Sequence, residues 1–146
     1  MPENKDEHFM RAAIDEAMKA LERQEVPVGA VVVCNDMIIA RAHNLTETLN
    51  DPTAHAEMQA ITAATSWLGG KYLTDCTVYV TIEPCAMCAG ALGWSQAARL
   101  VWGASDPKKG YTLIRGQLIH PKTIVNSGVL ANECGGIMTG FFRKKR

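Results

Sequence analysis

Long hydrophobic runs are missing from this sequence: no stretch approaches the roughly 18 apolar residues that a membrane-spanning helix requires. Residues 1–6 are mostly polar and acidic, whereas a signal peptide begins with basic residues and continues into an apolar segment. Internal repeats, low-complexity segments and linkers are missing too. We therefore expect residues 1–146 to form a single domain of a soluble, cytoplasmic protein.

A net charge is missing as well, because 15 Lys and Arg residues balance 15 Asp and Glu residues. The overall charge therefore does not indicate a nucleic-acid partner. The distribution is uneven, since residues 1–100 carry 7 basic and 13 acidic residues, while residues 101–146 carry 8 and 2. The last four residues are all basic: Arg143, Lys144, Lys145 and Arg146. They form either a surface that binds a polyanion or the solvated end of a helix.

Apolar and β-branched residues recur along the chain in a pattern of alternating strands and helices. Helices are predicted over 6–23, 51–67, 84–92 and 130–143. Strands are predicted over 26–33, 37–42, 77–82, 100–103 and 124–126. The Asn35-Asp36 pair is typical of a hairpin turn between the first two strands, and the Asp51-Pro52 pair of a helix start. Strands that alternate with helices indicate a layered α/β domain.

The cysteines divide into two groups. Five occur, an odd number, and in a cytoplasmic protein disulfides are not expected. Cys34, Cys76 and Cys134 are interpreted as small apolar residues of the core. Cys85 and Cys88 differ, because the proline before them predicts a helix start, which lowers thiol pKa and directs both sulfurs to one side. This C-x-x-C motif is typical of a metal site or of a redox pair.

A His-x-Glu motif, His55-Ala56-Glu57, comes earlier in the chain. In the first turn of a predicted helix, His55 and Glu57 can both approach a target that lies beyond the helix end. One imidazole nitrogen and two thiolates make three ligands, and zinc prefers four. The open fourth position is typical of a catalytic zinc. Glu57 is then predicted to take a proton from zinc-activated water and return it to substrate.

The combined H-x-E…P-C-x-x-C pattern is the signature of zinc-dependent nucleobase deaminases. It predicts one zinc ion per chain, held by His55, Cys85 and Cys88. The alternatives are a structural zinc site and a thioredoxin-like redox pair. No other His or Cys at a characteristic spacing completes a structural site, and a redox pair leaves the His-x-Glu motif unexplained.

Beyond this pattern, the chain resembles the bacterial tRNA-specific adenosine deaminases from about residue 8 to its end. The segments that carry the resemblance are Val26-Pro27-Val28-Gly29-Ala30-Val31, Asp51-Pro52-Thr53-Ala54-His55-Ala56-Glu57-Met58, Glu83-Pro84-Cys85-Ala86-Met87-Cys88-Ala89-Gly90-Ala91, Gly103-Ala104-Ser105-Asp106-Pro107, Gly128-Val129-Leu130-Ala131-Asn132-Glu133-Cys134 and Phe141-Phe142-Arg143.

The resemblance implies a cytidine-deaminase-like fold, in which a five-stranded mixed sheet lies between helices in a three-layer α/β/α arrangement. It implies a homodimer that converts adenosine to inosine at the wobble position of a tRNA anticodon. Asn44 matches the residue that contacts base and sugar in this family, and Val28 and Ala30 match positions in the pocket wall. The basic residues 143–146 match a surface that contacts RNA phosphates.

Two features depart from the family pattern. The segment after His120-Pro121 is shorter than usual and lacks an Asn-His pair. Trp94 is either a packing residue of the core or of a dimer interface, or similar to a tryptophan of guanine deaminases. Deamination of the free base guanine is therefore the alternative activity, since one fold supports several substrates. A non-catalytic RNA-binding subunit with structural zinc is a further alternative, although such a subunit has no need of Glu57.

Overall fold

The computed structural model describes residues 4–145, which form four α-helices, five β-strands and one 3₁₀ turn. The helices are α1 (Lys5–Glu22), α2 (Ala56–Leu68), α3 (Ala86–Ser95) and α4 (Ala131–Lys144), and the turn covers Tyr111–Leu113. The strands are β1 (Gly29–Cys34), β2 (Met37–His43), β3 (Cys76–Ile82), β4 (Arg99–Ala104) and β5 (Ile124–Asn126). Every predicted helix and strand is present, and β5 has its predicted bounds.

The strands form one mixed sheet in the order β2-β1-β3-β4-β5. Strand β1 is antiparallel to both β2 and β3, whereas β3, β4 and β5 run parallel. The predicted hairpin turn is confirmed: Asn35 and Asp36 have φ angles of 53° and 60°, the left-handed backbone that a two-residue turn between twisted strands requires. The sheet is therefore the five-stranded mixed sheet that the resemblance implied.

Two apolar cores lie on opposite faces of this sheet. One contains small residues of α2, such as Ala60 and Ala64, packed on alternate residues of β1 and β3. The other contains α1 residues, including Phe9 and Met10, with Cys134 of α4. Because the helices cover both faces, the three-layer α/β/α arrangement is confirmed. Within the described residues, no helix has the length and apolar character needed to cross a membrane.

Two element starts differ from the sequence prediction by three residues or more, those of α2 and β1. Helix α2 begins at Ala56 and not at Asp51, because the Asp51 carboxylate accepts hydrogen bonds from the backbone N–H and hydroxyl of Thr53, at 2.9 and 2.7 Å. This local turn competes with the helix. Strand β1 begins at Gly29, since the Val28 amide turns back to donate to the carbonyl of Val26 at 2.9 Å.

Candidate active site and metal centre

Two helix starts meet at the candidate site. His55 is the N-cap of α2 and Cys85 is the N-cap of α3, and neither side chain makes a capping hydrogen bond. Both side chains are therefore available to another group. Helix N-termini carry partial positive charge, which stabilises thiolates. The fold therefore brings the starts of α2 and α3 together at this site.

Three ligand atoms lie close together between the helix starts. The Nδ1 atom of His55 lies 3.6 Å from Sγ of Cys85 and 3.4 Å from Sγ of Cys88, and the three atoms all lie within 4.8 Å of one another. Usual zinc bond lengths in a tetrahedron place such nitrogen and sulfur atoms about 3.6 Å apart. The spacing and the donor chemistry therefore fit zinc without rearrangement.

The charge of the two thiols also fits a cation. Hydrogen bonds from Cys88 and His55 lower the pKa of the Cys85 thiol to about 3. The bond to Cys85 and burial together raise the pKa of Cys88 far above its ordinary value. Without a cation between them, only one thiol ionises. A divalent metal ion supplies the charge that allows both sulfurs to bind as thiolates.

Glu57 lies in the first turn of α2 and is 4% exposed. Burial raises the pKa of its carboxyl to about 7, because the charged form loses its hydration. A carboxyl with this pKa can both accept and donate a proton near neutral pH. It is separate from the group of three metal-ligand candidates. Burial beside the metal-ligand candidates suits Glu57 to exchange protons, and its role as a proton carrier stays a prediction.

A buried carboxylate that the sequence reasoning missed holds the loop beside α3. Glu83 accepts hydrogen bonds from the backbone N–H groups of Asp106 and Thr112 and from the Thr112 hydroxyl, at 3.1, 3.0 and 2.7 Å. Gly110 packs so closely on this carboxylate that a Cβ atom there would collide with it. Glu83, which precedes Cys85 by two residues, thereby holds the loop of residues 106–112 beside the start of α3. Its only sequence signal is an acidic residue at the end of an apolar strand.

A second missed carboxylate holds the loop that leads to His55. Glu25 is fully buried and accepts hydrogen bonds from the backbone N–H of Glu47 and from the N–H and hydroxyl of Thr48, at 3.0, 2.6 and 2.6 Å. Burial opposes ionisation of Glu25, but the hydrogen bonds outweigh it and lower its pKa. The loop between β2 and α2 is therefore anchored to Glu25, which lies in the connection between α1 and β1.

Replacing Glu25 with glutamine should lower the free energy of unfolding by about 1–3 kcal/mol, because the amide nitrogen would face N–H donors and leave a buried group unsatisfied. Urea unfolding at neutral pH measures this loss. Because the pKa of folded Glu25 is lowered, its stabilisation is complete above the ordinary value of 4.5 and is lost as pH falls below it. The difference in free energy of unfolding between variant and parent should therefore become smaller at acidic pH. Glu22→Gln, at an exposed position, is the matched control and should change little.

Asn44, Val28 and Ala30 occupy different depths near the start of β1. The backbone N–H of Asn44 donates to the carbonyl of Val28 at 3.1 Å, so these two residues are neighbours. Asn44 is 5% exposed, and its side-chain oxygen accepts from the Thr46 N–H at 3.4 Å. Ala30 has no exposed surface and lies in the core with α2. The substrate contacts expected of these residues stay predictions.

The basic residues at the chain end lie on the last turn of α4 and beyond it. Arg143 and Lys144 belong to that turn and Lys145 caps it, and all three are exposed. The Lys145 ammonium lies 5.0 Å from the ring centre of Phe141, which is buried and anchors the helix end. Arg146 lies outside the described residues. Helix α4 packs on the face of the sheet opposite to α2, the helix that His55 caps.

Comparison with known proteins places the chain in a family. Residues 3–104 match the family model described as the cytidine and deoxycytidylate deaminase zinc-binding region. The tRNA-specific adenosine deaminase of Bacillus subtilis is 49% identical over 146 aligned residues, which cover 97% of this chain and 91% of that protein. The chain belongs to the tRNA-specific adenosine deaminase family.

Solved structures support this membership. One from studies of A-to-I editing by tRNA:A34 deaminases, at the wobble position of transfer RNA, superposes with a TM-score of 0.83 and 43% identity, covering 89% of this chain and 98% of that one. Guanine deaminase from Bacillus subtilis is 40% identical but covers only 68% of this chain and 64% of its own, with a TM-score of 0.65. As a tRNA-specific adenosine deaminase family member, the chain is a deaminase and not a redox C-x-x-C protein.

The family match divides the candidate residues into two sets. Residues 3–104 contain the three metal-ligand candidates, Glu57 and the candidate pocket residues. The basic residues 143–146 lie outside that segment, although the relative from Bacillus subtilis aligns over nearly the whole chain. The family model therefore includes the metal-ligand candidates but not the cationic chain end.

Proposed function

We propose that this protein catalyses the hydrolytic, zinc-dependent deamination of adenosine to inosine at the wobble position of a tRNA anticodon. The observation that carries the proposal is the group of His55, Cys85 and Cys88, within 4.8 Å of one another, at the side of buried Glu57. The names of the relatives supply the substrate class. Water and adenosine give inosine and ammonia.

The proposed roles follow from the positions of the residues. His55, Cys85 and Cys88 hold one zinc ion per chain, which when bound activates water for attack at neutral pH. Glu57 takes a proton from the attacking water, delivers it to the ring nitrogen of the base and assists departure of the amine. Asn44 contacts base and sugar and Val28 forms part of the pocket wall, while Ala30, which has no exposed surface, supports that wall from within the core.

The proposed partner is the anticodon stem-loop of a tRNA. A base stacked inside a helix cannot reach a carboxyl as buried as Glu57. Enzymes that modify a base act on single strands or extrude the base, and sequence-specific RNA recognition favours loops. An anticodon loop supplies an unstacked adenosine with phosphates on both sides.

One experiment separates the proposed function from its nearest alternative. Zinc-loaded protein is incubated with a stem-loop that carries the wobble adenosine, with the same loop carrying its adenosine one position away, and with free guanine. We expect inosine from the first substrate only. The partial likeness to guanine deaminase favours guanine as the second candidate, and xanthine formation with no inosine would establish that activity instead.

Replacing Arg143, Lys144, Lys145 and Arg146 by alanine should weaken stem-loop binding and flatten its salt dependence. For a single strand, the slope of log affinity against log salt falls by about 0.7 for each phosphate that is no longer neutralised. Binding measured at several salt concentrations tests this, with zinc content as the check on the metal site. Arg23→Ala, at an exposed cation elsewhere, is the control. Parental affinity and salt slope in the four-residue variant would show that the chain end is only a solvated helix end.

We also propose a homodimer. Large apolar side chains are exposed on α3 and on the segment that follows β4, among them Trp94 at 85% and Leu113 at 57%. Light scattering should give about twice the chain mass of 15.9 kDa. Trp94→Glu should shift the protein to monomer, whereas Trp67→Glu, at an exposed tryptophan of α2, should not. A monomeric parent protein would contradict the proposal.

Finally, we propose that residues 1–146 act as a single deaminase domain in the cytoplasm. Both apolar cores share one sheet, so neither half has a core independent of the other. The metal-ligand thiols must stay reduced to bind zinc, and the cytoplasm keeps thiols reduced.

A further inference from the structure

Two cysteines outside the metal centre face each other across neighbouring strands. Cys34 ends β1 and Cys76 begins β3, and the two residues are paired in the antiparallel register. Directly opposed residues of a strand pair point to the same face of the sheet. Cys76 is 1% exposed, and Cys34 is partly buried and packs against the core that contains Cys76. The pair has no part in the deaminase site.

The backbone hydrogen bonds define which kind of pair this is. The N–H of Cys76 donates to the carbonyl of Leu73, and its carbonyl accepts from the N–H of Ala98. Both peptide groups of Cys76 therefore point away from β1, and Cys34 and Cys76 form a non-hydrogen-bonded pair. In such pairs the Cα atoms lie about 4.5 Å apart and the side chains are closest. A disulfide requires Cα atoms about 4.4–6.8 Å apart.

The two thiols differ in access to solvent. Burial and the neighbouring Cys34 raise the pKa of Cys76 to about 12, so Cys76 stays protonated at neutral pH. Cys34 is the thiol that solvent can reach. The pair also lies far from the zinc-ligand candidates, because Cys76 begins β3 and Cys85 follows its end, roughly 20 Å along the strand. The metal thiols are therefore not partners for either cysteine.

We propose that Cys34 and Cys76 are a site of reversible oxidation, at which a peroxide converts the two thiols to an intrachain disulfide. The Cys34 thiolate attacks one peroxide oxygen, the O–O bond breaks, and a sulfenic acid and one water form. The sulfur of Cys76 then attacks that of Cys34, losing its proton as the hydroxyl leaves as a second water. Two thiols are oxidised and one peroxide is reduced.

The bond would close residues 34–76 into a covalent loop that contains Asn44, His55 and Glu57. A thiol reductant reverses the step by exchange. Oxidation at this pair would consume peroxide without using the thiols of the metal centre. Oxidation of Cys34 and Cys76 does not depend on which base the enzyme deaminates.

The test uses folded, reduced, zinc-loaded protein treated with about one equivalent of hydrogen peroxide. Remaining thiols are blocked with iodoacetamide, and the chain is digested with trypsin and chymotrypsin. Cleavage after Tyr79 separates Cys76 from Cys85 and Cys88, which trypsin alone leaves on one peptide. We expect a linked peptide that joins Cys34 to Cys76, lighter than its two parts by two hydrogen atoms and absent after dithiothreitol.

Serine variants provide the controls. Cys34→Ser should lower the yield of the linked peptide at least tenfold, and so should Cys76→Ser. Cys134→Ser, at a buried thiol in the other core, should leave the yield unchanged. Because Cys34 is only partly buried, its variant carries the test if Cys76→Ser fails to fold. Folded parent protein that gives only blocked Cys34 and Cys76, or links between separate chains, would overturn the proposal.

Discussion

Replacing Glu57 with alanine should reduce turnover of the stem-loop by about 10²–10⁴-fold, the contribution of a positioned general acid and base. Zinc content should stay at about one per chain, because Glu57 lies outside the group of metal-ligand candidates. Binding of the stem-loop should also persist, since the buried carboxyl offers no surface to RNA phosphates. Single-turnover kinetics, metal analysis and a binding titration measure the three quantities.

Glu57→Gln sharpens this test, because glutamine has nearly the shape of glutamate but cannot accept the proton from water. A glutamine variant as inactive as the alanine variant assigns the loss to proton transfer. Turnover within tenfold of the parent in either variant would move the proton-carrier role to another group. Loss of zinc along with turnover would mean that Glu57 supports the metal and not the proton.

Replacing Cys88 with alanine should remove zinc, from about one per chain to a small fraction. Two remaining ligands do not make a zinc site, and metal binding is coupled to folding. Activity should fall to background, and the midpoint of thermal unfolding should fall as well. Cys85→Ala should have the same effect on zinc. Metal analysis of dialysed protein, with thermal unfolding beside it, tests both variants.

Cys134→Ala is the matched control for Cys88→Ala, since both thiols are almost completely buried and only Cys88 belongs to the metal-ligand group. The Cys134→Ala variant should be less stable, because the lost sulfur leaves a small cavity, but it should keep its zinc. The comparison separates the loss of a buried sulfur from the loss of a ligand. Full zinc in Cys85→Ala or Cys88→Ala would contradict the ligand assignment.

The fold could be predicted from sequence because its signals are local. Runs of apolar and β-branched residues located all five strands, and Asn35-Asp36 located the hairpin. The predicted start of α2 was wrong, and the reason is also local, because Asp51 can adopt either of two structures. Asp51 can cap a helix or form a turn with Thr53, and the structure has the turn, followed by a connection to His55. Sequence alone does not rank these two.

The candidate site shows a similar division. Its metal-ligand candidates could be named in advance because zinc chemistry restricts both the residue types and their spacing. The carboxylates of Glu25 and Glu83 could not, because their partners are backbone N–H groups of loops distant in sequence. Any residue type except proline has a backbone N–H, so no pattern marks the acceptor. Such interactions become visible only when the loops are folded.

The sheet separates the two parts of the molecule that RNA is proposed to touch. Helices α2 and α3 begin at the metal-ligand candidates on one face, while α4 lies across the other, with Cys134 against Gly103 of β4. From Cys134 to Lys144 the helix runs roughly 15 Å further. We therefore expect an RNA that contacts both parts to extend past the sheet, as a folded loop with its stem can and a free base cannot. The size of the substrate, as well as its base, would then contribute to selection.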